Sequence, residues 1–155
     1  MAIILEGFDN SGKSSLASKL GLEVVHPGPR PKTDAEELKC LEQQAAMLYR
    51  RGIVMDRCTA ISQACYSGTQ HLTYHDWVVK ALTRAPVVIV YCRPPIEVMM
   101  DFSTHQVKSY DDEKFIKYLQ DNGLDIIARY DAFMARYPHI KYDYTAQSRL
   151  PEIVL

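Results

Sequence analysis

Residues 7–14 of the chain, Gly-Phe-Asp-Asn-Ser-Gly-Lys-Ser, constrain the possible folds more than any other segment. They fit the pattern G-x-x-x-x-G-K-[ST], and they lie between a short apolar run at residues 2–5 and a helical pattern at residues 14–20. In this strand–loop–helix context the glycines allow backbone N–H groups to surround an anion, and the positive end of the helix adds to the attraction. The segment therefore predicts a phosphate-binding P-loop rather than an ordinary glycine-rich turn.

The residue types within the P-loop predict how a nucleotide binds. Lys13 is expected to reach the β- and γ-phosphate oxygens of ATP, and the Ser14 hydroxyl is expected to hold Mg²⁺. Ser15 is the weakest candidate, because its position also suits an ordinary helix residue. The predicted ATP-binding set consists of Gly7, Asn10, Ser11, Gly12, Lys13, Ser14 and Ser15.

Apolar runs rich in β-branched residues alternate with helical patterns along the chain. The runs cover residues 2–5, 22–25, 53–55, 87–91 and 140–144, and the further helical patterns cover residues 34–50, 74–84, 96–102 and 111–136. Runs that are apolar almost throughout are typical of parallel strands covered on both faces, whereas the last run alternates as an edge strand does. We predict a single α/β domain over residues 1–155, with three layers and a five-stranded parallel sheet.

The last helical pattern is the longest. Asn122-Gly123 interrupts it and is a candidate for a kink or a break. The apolar residues expected to contact the core are Phe115, Leu119, Ile126, Tyr130 and Phe133.

Composition and charge exclude several classes of function. The chain has 18 Lys and Arg against 19 Asp and Glu, so its formal charge of −1 gives no positive field for sequence-independent binding of nucleic acid. No run approaches the roughly 20 apolar residues of a membrane span, and the four cysteines form no CxxC pair, so we expect a cytoplasmic protein with reduced thiols. The chain also lacks a late [NT]KxD signature, which disfavours a guanine-nucleotide switch.

The third apolar run ends in Asp56-Arg57. At the carboxyl edge of a parallel sheet, this pair presents a carboxylate toward Mg²⁺ and a guanidinium toward phosphate. The alternative is a surface Asp–Arg pair that only caps the strand. Beside a P-loop we favour the metal-binding role for Asp56 and the phosphate-binding role for Arg57.

Three segments together resemble the thymidylate kinases. Residues 5–14 are similar to their P-loop, and Asp56-Arg57 with residues 62–64 resembles their DR motif and the helix after it. Residues 91–95, Tyr-Cys-Arg-Pro-Pro, are similar to the double-proline turn before their lid helix, and the small bacteriophage members look especially close. The resemblance implies a P-loop NTPase fold of the nucleoside monophosphate kinase type with a short lid. It also implies transfer of the γ-phosphoryl group of ATP to a deoxynucleoside monophosphate, with a dTMP-like acceptor favoured.

The resemblance further implies roles around the acceptor. Asp9 is expected to contact the acceptor's sugar hydroxyl or phosphate region and Arg57 its phosphate, roles that the charges of these residues also favour. Arg30, in the place of the family's Pro-Gly segment, is a second candidate for the acceptor phosphate. Gln63 and Tyr66 lie three residues apart on one helix face, where they could read or stack on the base, although core packing explains Tyr66 equally well.

The chain departs from the family in the cations that would clamp the transferred phosphoryl group. Asn10 is neutral, and residues 103–110 contain only Lys108 as a lysine or arginine. We expect Lys108, helped by His105 or Arg93, to stabilise the transferring group, with a solvated loop lysine as the alternative.

This departure leaves two other functions open. One is a kinase that phosphorylates a hydroxyl group of a deoxynucleoside or of 5-hydroxymethyluracil in DNA, with Asp9 or Asp56 as the base. The other is a nucleotide-binding protein without turnover. The expected partners are small nucleotides, with no membrane and no nucleic acid other than such a modified substrate. Because thymidylate kinases are commonly dimeric, a homodimer through the helix at residues 34–50 is also expected.

Overall fold

The computed structural model describes residues 1–28, 31–67, 80, 82–146, 149 and 153 of the 155-residue chain. Five strands form one parallel sheet in the order β2-β3-β1-β4-β5, which confirms the predicted sheet and the edge position of the last strand. The strands are β1 (Ala2–Glu6), β2 (Glu23–Val25), β3 (Ile53–Asp56), β4 (Val87–Cys92) and β5 (Ile140–Tyr142). The helices are α1 (Lys13–Lys19), α2 (Asp34–Met47), α3 (Thr59–Ser67), α4 (Ile96–Met99) and α5 (Tyr110–Met134). Most of the helix predicted at residues 74–84 lies outside the described residues.

The central strand β1 is buried along its whole length because helices cover both faces of the sheet. Its side chains alternate between two apolar clusters: Ala2 and Ile4 pack on the side of α3 and α5, and Ile3 and Leu5 pack on the side of α1. This two-sided burial explains why the strand sequences are apolar almost throughout instead of alternating.

Helix α5 runs through Asn122-Gly123 without interruption, so the predicted break is wrong. Gly123 is buried, and a Cβ atom placed there would lie 2.5 Å from Met100 Sδ and 3.1 Å from Phe8 Cζ. The absence of a side chain at Gly123 therefore allows α5 to pack closely against the loop after β1. Ser109 caps the helix, because its hydroxyl accepts a 3.1 Å hydrogen bond from the backbone N–H of Asp112.

The parallel arrangement brings the carboxyl ends of β1, β3 and β4 to one edge of the sheet. The P-loop follows β1, Asp56-Arg57 stands at the end of β3, and Arg93 follows β4. Ligands of open parallel sheets bind at this edge. Within the described part of the chain, no helix combines the length and apolarity that crossing a membrane requires.

Candidate active site

The P-loop has the backbone shape that its glycines predict. Gly7 and Gly12 have φ values of +147° and +82°, and Asn10, a residue that tolerates the left-handed region, has +58°. A Cβ atom on Gly7 would collide with the carbonyl group of Cys92 at the end of β4. The loop can therefore pass this close to the sheet only with glycine at position 7.

Lys13 lies almost fully buried beneath the loop. Its Nζ donates hydrogen bonds to the carbonyl oxygens of Gly7 (2.9 Å) and Phe8 (2.6 Å) and to Ser11 Oγ (3.0 Å). Burial, together with the nearby charge of Arg57, lowers the pKa of Lys13 to about 8. Asp9 and Glu6 supply part of the negative charge that would balance this ammonium group. An anionic ligand in the loop would add to it and favour the charged form of Lys13.

Ser14 and Asp56, the two residues predicted to hold Mg²⁺, meet at the carboxyl edge. Ser14 Oγ donates a 2.9 Å hydrogen bond to Asp56 Oδ2, and His26 Nδ1 lies 3.7 Å from the same oxygen. A hydroxyl and a carboxylate from two different elements are hard oxygen donors of the kind that Mg²⁺ prefers, usually together with water and substrate phosphates. The residues present therefore fit a magnesium site.

Arg57 occupies the turn between β3 and α3 in a conformation that is rare for a residue with a side chain, with φ of +82°. Its backbone N–H donates to Leu5 O at 3.1 Å, which holds the turn against β1. The side chain donates from Nη2 to Asp9 Oδ1 at 3.2 Å, and its guanidinium carbon lies 5.5 Å from the centre of the Tyr66 ring. The strained turn thus directs the guanidinium between the P-loop and α3.

Glu6, the last residue of β1, is a buried carboxylate for which sequence reasoning predicted no role. It accepts hydrogen bonds from the Cys58 backbone N–H (2.5 Å), the Tyr130 hydroxyl (3.0 Å) and Ser62 Oγ (3.3 Å). Burial raises the pKa of Glu6, although the hydrogen bonds from Cys58 and Tyr130 and the nearby charges of Arg57 and Lys13 act in the opposite direction. The signal in the sequence was a charged residue at the end of an apolar strand, directly before the loop.

Two cavities of about 380 Å³ each adjoin at this edge. The P-loop cavity is lined by residues 10–15, His26 and Asp56, and the α3 cavity by Pro31, Thr59, Ser62, Gln63, Tyr66 and Phe115. The residues that line both cavities are Asp9, Pro27, Gly28 and Arg57. Burial raises the pKa of Tyr66 to about 12, so its hydroxyl remains protonated at neutral pH. The arrangement offers two adjoining compartments with one ion pair, Asp9–Arg57, in their common wall.

Segment 101–109 between α4 and α5, called here the lid segment, lies against the P-loop. Asn10 Nδ2 donates to Asp101 O at 2.7 Å, and His105 Nε2 lies 3.4 Å from Asp9 Oδ2. Asp9 therefore contacts both Arg57 and the lid segment through its two carboxylate oxygens.

Most of the predicted site residues come together, but the predicted phosphoryl clamp does not. Arg93 lines neither cavity: it forms two hydrogen bonds with Asp131, Nε to Oδ1 at 2.9 Å and Nη2 to Oδ2 at 3.0 Å. Lys108 is exposed in the lid segment and also lies outside both linings. Arg30, the second candidate for the acceptor phosphate, lies outside the described residues.

Solved structures resemble this chain over almost its whole length. The YorR protein of Bacillus subtilis, in complex with phosphorylated GDP, is 16% identical, with 93% of this chain and 85% of that one covered and a TM-score of 0.64. Deoxyadenosine kinase from M. mycoides with bound dATP is 14% identical, with 95% and 93% covered and a TM-score of 0.56. Thymidylate kinase from Ehrlichia chaffeensis is 14% identical, with 99% and 90% covered and a TM-score of 0.55.

No protein-family model matches the sequence, and a comparison with curated proteins finds no significant match. At these low identities the structural likeness establishes the fold: the chain has the α/β fold of P-loop kinases, with a five-stranded parallel sheet.

Proposed function

We propose that the chain is a nucleotide kinase that transfers the γ-phosphoryl group of Mg-ATP to a deoxynucleoside monophosphate, with a dTMP-like acceptor favoured. The observation that carries the proposal is the pair of adjoining cavities, one formed by the P-loop and one by α3, with Arg57 in the wall between them. A transferase needs two substrates held close together, with positive charge where their phosphates meet.

The P-loop cavity is assigned to the donor. Its backbone N–H groups and the N-terminus of α1 would surround the phosphates, and Lys13 would exchange its hydrogen bonds with the loop carbonyls for bonds to the β- and γ-oxygens. Ser14 and Asp56 would hold the magnesium ion, which when bound neutralises charge on the transferred phosphoryl group.

The α3 cavity is assigned to the acceptor. Arg57 would bind the acceptor phosphate, Asp9 would contact the sugar or phosphate region, and Gln63 and Tyr66 would contact the base. Because an acceptor phosphate oxygen is already a competent nucleophile at neutral pH, the reaction needs no general base, and in-line positioning supplies most of the acceleration. Arg30 remains a candidate for a second contact with this phosphate.

The phosphoryl clamp is assigned to Lys108, helped by His105 or Arg93. Lys108 is exposed in the same segment that Asn10 and Asp9 hold against the P-loop, and the proposal requires that the lid segment move so that its ammonium group reaches the donor phosphates. Of the two helpers, His105 already contacts Asp9 in the wall that the cavities share. Arg93 would first have to leave Asp131, with which it forms two hydrogen bonds, so we expect it to contribute less.

A hydroxyl acceptor is the second candidate, favoured by the position of Asp9. Its carboxylate lies in the wall shared by the two cavities, where a base could take the proton of an attacking hydroxyl group. The ion pair with Arg57 opposes this role, because it already engages one of the two carboxylate oxygens that would have to accept the proton.

The test is release of ADP from Mg-ATP with each member of a panel of acceptors. The panel contains dTMP, dUMP, dCMP, dAMP and dGMP, the parent nucleosides, and DNA with and without 5-hydroxymethyluracil. Stimulation by a monophosphate supports the proposal, and stimulation by nucleosides or modified DNA alone moves the acceptor to a hydroxyl group. Binding of ATP without stimulation by any panel member would identify a nucleotide-binding protein that lacks turnover. Lys13→Ala is the control for ADP release by a contaminating ATPase.

A further inference from the structure

Phe115 departs from the pattern of the helix that carries it. The sequence predicts that it packs into the core with Leu119, Ile126 and Tyr130, and these three are completely buried. Phe115 itself is 49% exposed and lines the α3 cavity, being the one residue of that lining that α5 supplies. The apolar stripe of α5 therefore continues one turn past the core and ends at the cavity.

The position of Phe115 relative to α3 is fixed by contacts between the two helices. One turn further along α5, the Tyr118 hydroxyl donates a 2.9 Å hydrogen bond to Tyr66 O. Arg129 Nε donates to Cys65 O at 2.5 Å, near the C-terminal end of α3. Because these bonds join α5 to Cys65 and Tyr66 of α3, the helix that also carries Gln63, Phe115 and the α3 wall form one preformed cavity.

The other end of α3 is held as well. Gln44 of α2 makes a reciprocal pair of hydrogen bonds with Thr59, Nε2 to Oγ1 at 2.6 Å and Thr59 N–H to Oε1 at 2.8 Å. Glu6 accepts the N–H of the preceding Cys58. Two backbone donors at the start of α3, those of Cys58 and Thr59, are thus satisfied by buried side chains of β1 and α2.

The chemistry of the cavity wall favours a flat aromatic group. Phe115 and Tyr66 provide aromatic rings, and the Gln63 amide in the same lining can both donate and accept a hydrogen bond. Thr59 and Ser62 add hydroxyl groups. A flat aromatic ligand that stacks on the exposed Phe115 ring would remove apolar surface of both partners from water. Bases stack on aromatic side chains in this way in nucleic-acid-binding proteins.

We propose that Phe115 is a specificity-determining residue that contacts the base of the acceptor nucleotide, whose edge Gln63 reads. The proposal rests on the assignment of the α3 cavity to the acceptor. It predicts that Phe115 recognises the base whether the acceptor carries a phosphate or a free hydroxyl group.

The test compares Phe115→Ala with Phe115→Tyr and with Leu124→Ala, a matched control. Leu124 is an exposed apolar residue of the same helix that lines neither cavity. Dissociation constants are measured by calorimetry for the panel monophosphates and nucleosides, for deoxyribose 5-phosphate, which has no base, and for a non-hydrolysable ATP analogue.

Phe115→Ala should weaken binding of the base-bearing acceptors by about 10-fold or more, a loss typical of one base–aromatic stack. Binding of deoxyribose 5-phosphate and of the ATP analogue should remain within twofold of wild type, and Phe115→Tyr and Leu124→Ala should behave as wild type.

Two results would overturn the role of Phe115: unchanged acceptor binding, or an equal loss for deoxyribose 5-phosphate, which would show a general change of the cavity. If the wild type binds nucleosides but no monophosphates, the proposed acceptor is wrong, and the nucleoside measurements still decide the role of Phe115. If it binds neither, both the acceptor assignment and the role of Phe115 are wrong.

Discussion

Neutralising Glu6 separates its charge from its hydrogen bonds. Glu6→Gln keeps the shape of the side chain and an oxygen that can accept the Cys58 N–H, while the new amide can donate to the Tyr130 and Ser62 hydroxyl oxygens. Glu6→Ala removes all acceptors and leaves three buried or half-buried donors without their partner. The two variants therefore differ in hydrogen bonding, and both lack the charge.

The magnitudes follow from these contacts. Each buried donor left unpaired costs about 1–3 kcal/mol, and the two hydroxyls can turn toward other acceptors, so Glu6→Ala should lower the free energy of unfolding by about 3–5 kcal/mol. For Glu6→Gln we expect the free energy of unfolding to fall by about 2 kcal/mol or less. The variant loses the attraction to Arg57 and Lys13, but it also avoids the cost of burying a charged carboxylate, and the second effect offsets part of the first.

The pH dependence gives the sharper test. Since burial raises the pKa of Glu6 above 4.5 in the folded state, the folded protein holds a proton at pH values where the unfolded chain has released it. The stabilising contribution of this group is complete below the unfolded pKa and is lost as pH rises through the folded pKa, by up to about 1.4 kcal/mol per pH unit. Glutamine has no such dependence, so wild type should lose stability relative to Glu6→Gln as the pH rises above 4.5.

Urea unfolding followed by circular dichroism at half-unit steps of pH measures the difference directly. Glu23→Gln is the control, because Glu23 is an exposed carboxylate paired with Arg50 on the surface. The reasoning would be refuted if the stability of wild type relative to Glu6→Gln stayed constant, or increased, as the pH rises. Such a result would mean that the hydrogen bonds and the charge of Arg57 outweigh burial.

Three further predictions concern the loop and the proposed clamp. Lys13→Ala should lower acceptor-dependent ADP release by more than 100-fold with an unchanged circular dichroism spectrum, and turnover at the wild-type level would contradict the assignment of the P-loop. Lys108→Ala should lower kcat by about 10- to 100-fold with little change in KM, whereas Arg93→Met should change kcat less than threefold because Asp131 holds that side chain. A larger loss of kcat for Arg93→Met than for Lys108→Ala would show that Arg93 leaves Asp131 during turnover. Gly7→Ala should destabilise the fold by about 2 kcal/mol or more, because a Cβ atom there meets the Cys92 carbonyl group. In the control Gly21→Ala, the new Cβ meets nothing within 4 Å, so the positive φ alone should cost about 1 kcal/mol. Equal urea midpoints for the two variants would count against the collision.

The sequence was informative where the signal is local. The apolar runs and the motif at residues 7–14 predict the sheet and the P-loop because strand burial and loop shape depend on neighbouring residues. The pairing of Ser14 with Asp56 could also be predicted, since carboxyl ends of parallel strands share one edge.

The rest depends on contacts between elements distant in sequence. Nothing in the pattern of α5 distinguishes Phe115, beside a cavity, from Leu119, which is completely buried. Likewise, Arg93 pairs with Asp131, 38 positions away in the sequence. This pairing holds away from both cavities an arginine that its sequence position predicts at the active edge. Glu6 accepts a hydrogen bond from Tyr130 of α5, which lies 124 positions later in the sequence, so no local pattern could indicate this contact.

Helix α3 is tied at both ends, by Glu6 and Gln44 at its start and by Tyr118 and Arg129 near its finish. A wall that is already in place loses little conformational entropy when a ligand binds. Differences in affinity among acceptors should therefore reflect how well each one fits the cavity, because none of them has to reorganise the wall. The lid segment, which two hydrogen bonds hold to the P-loop, is where ordering on binding would carry a cost, and that cost would be the same for every acceptor.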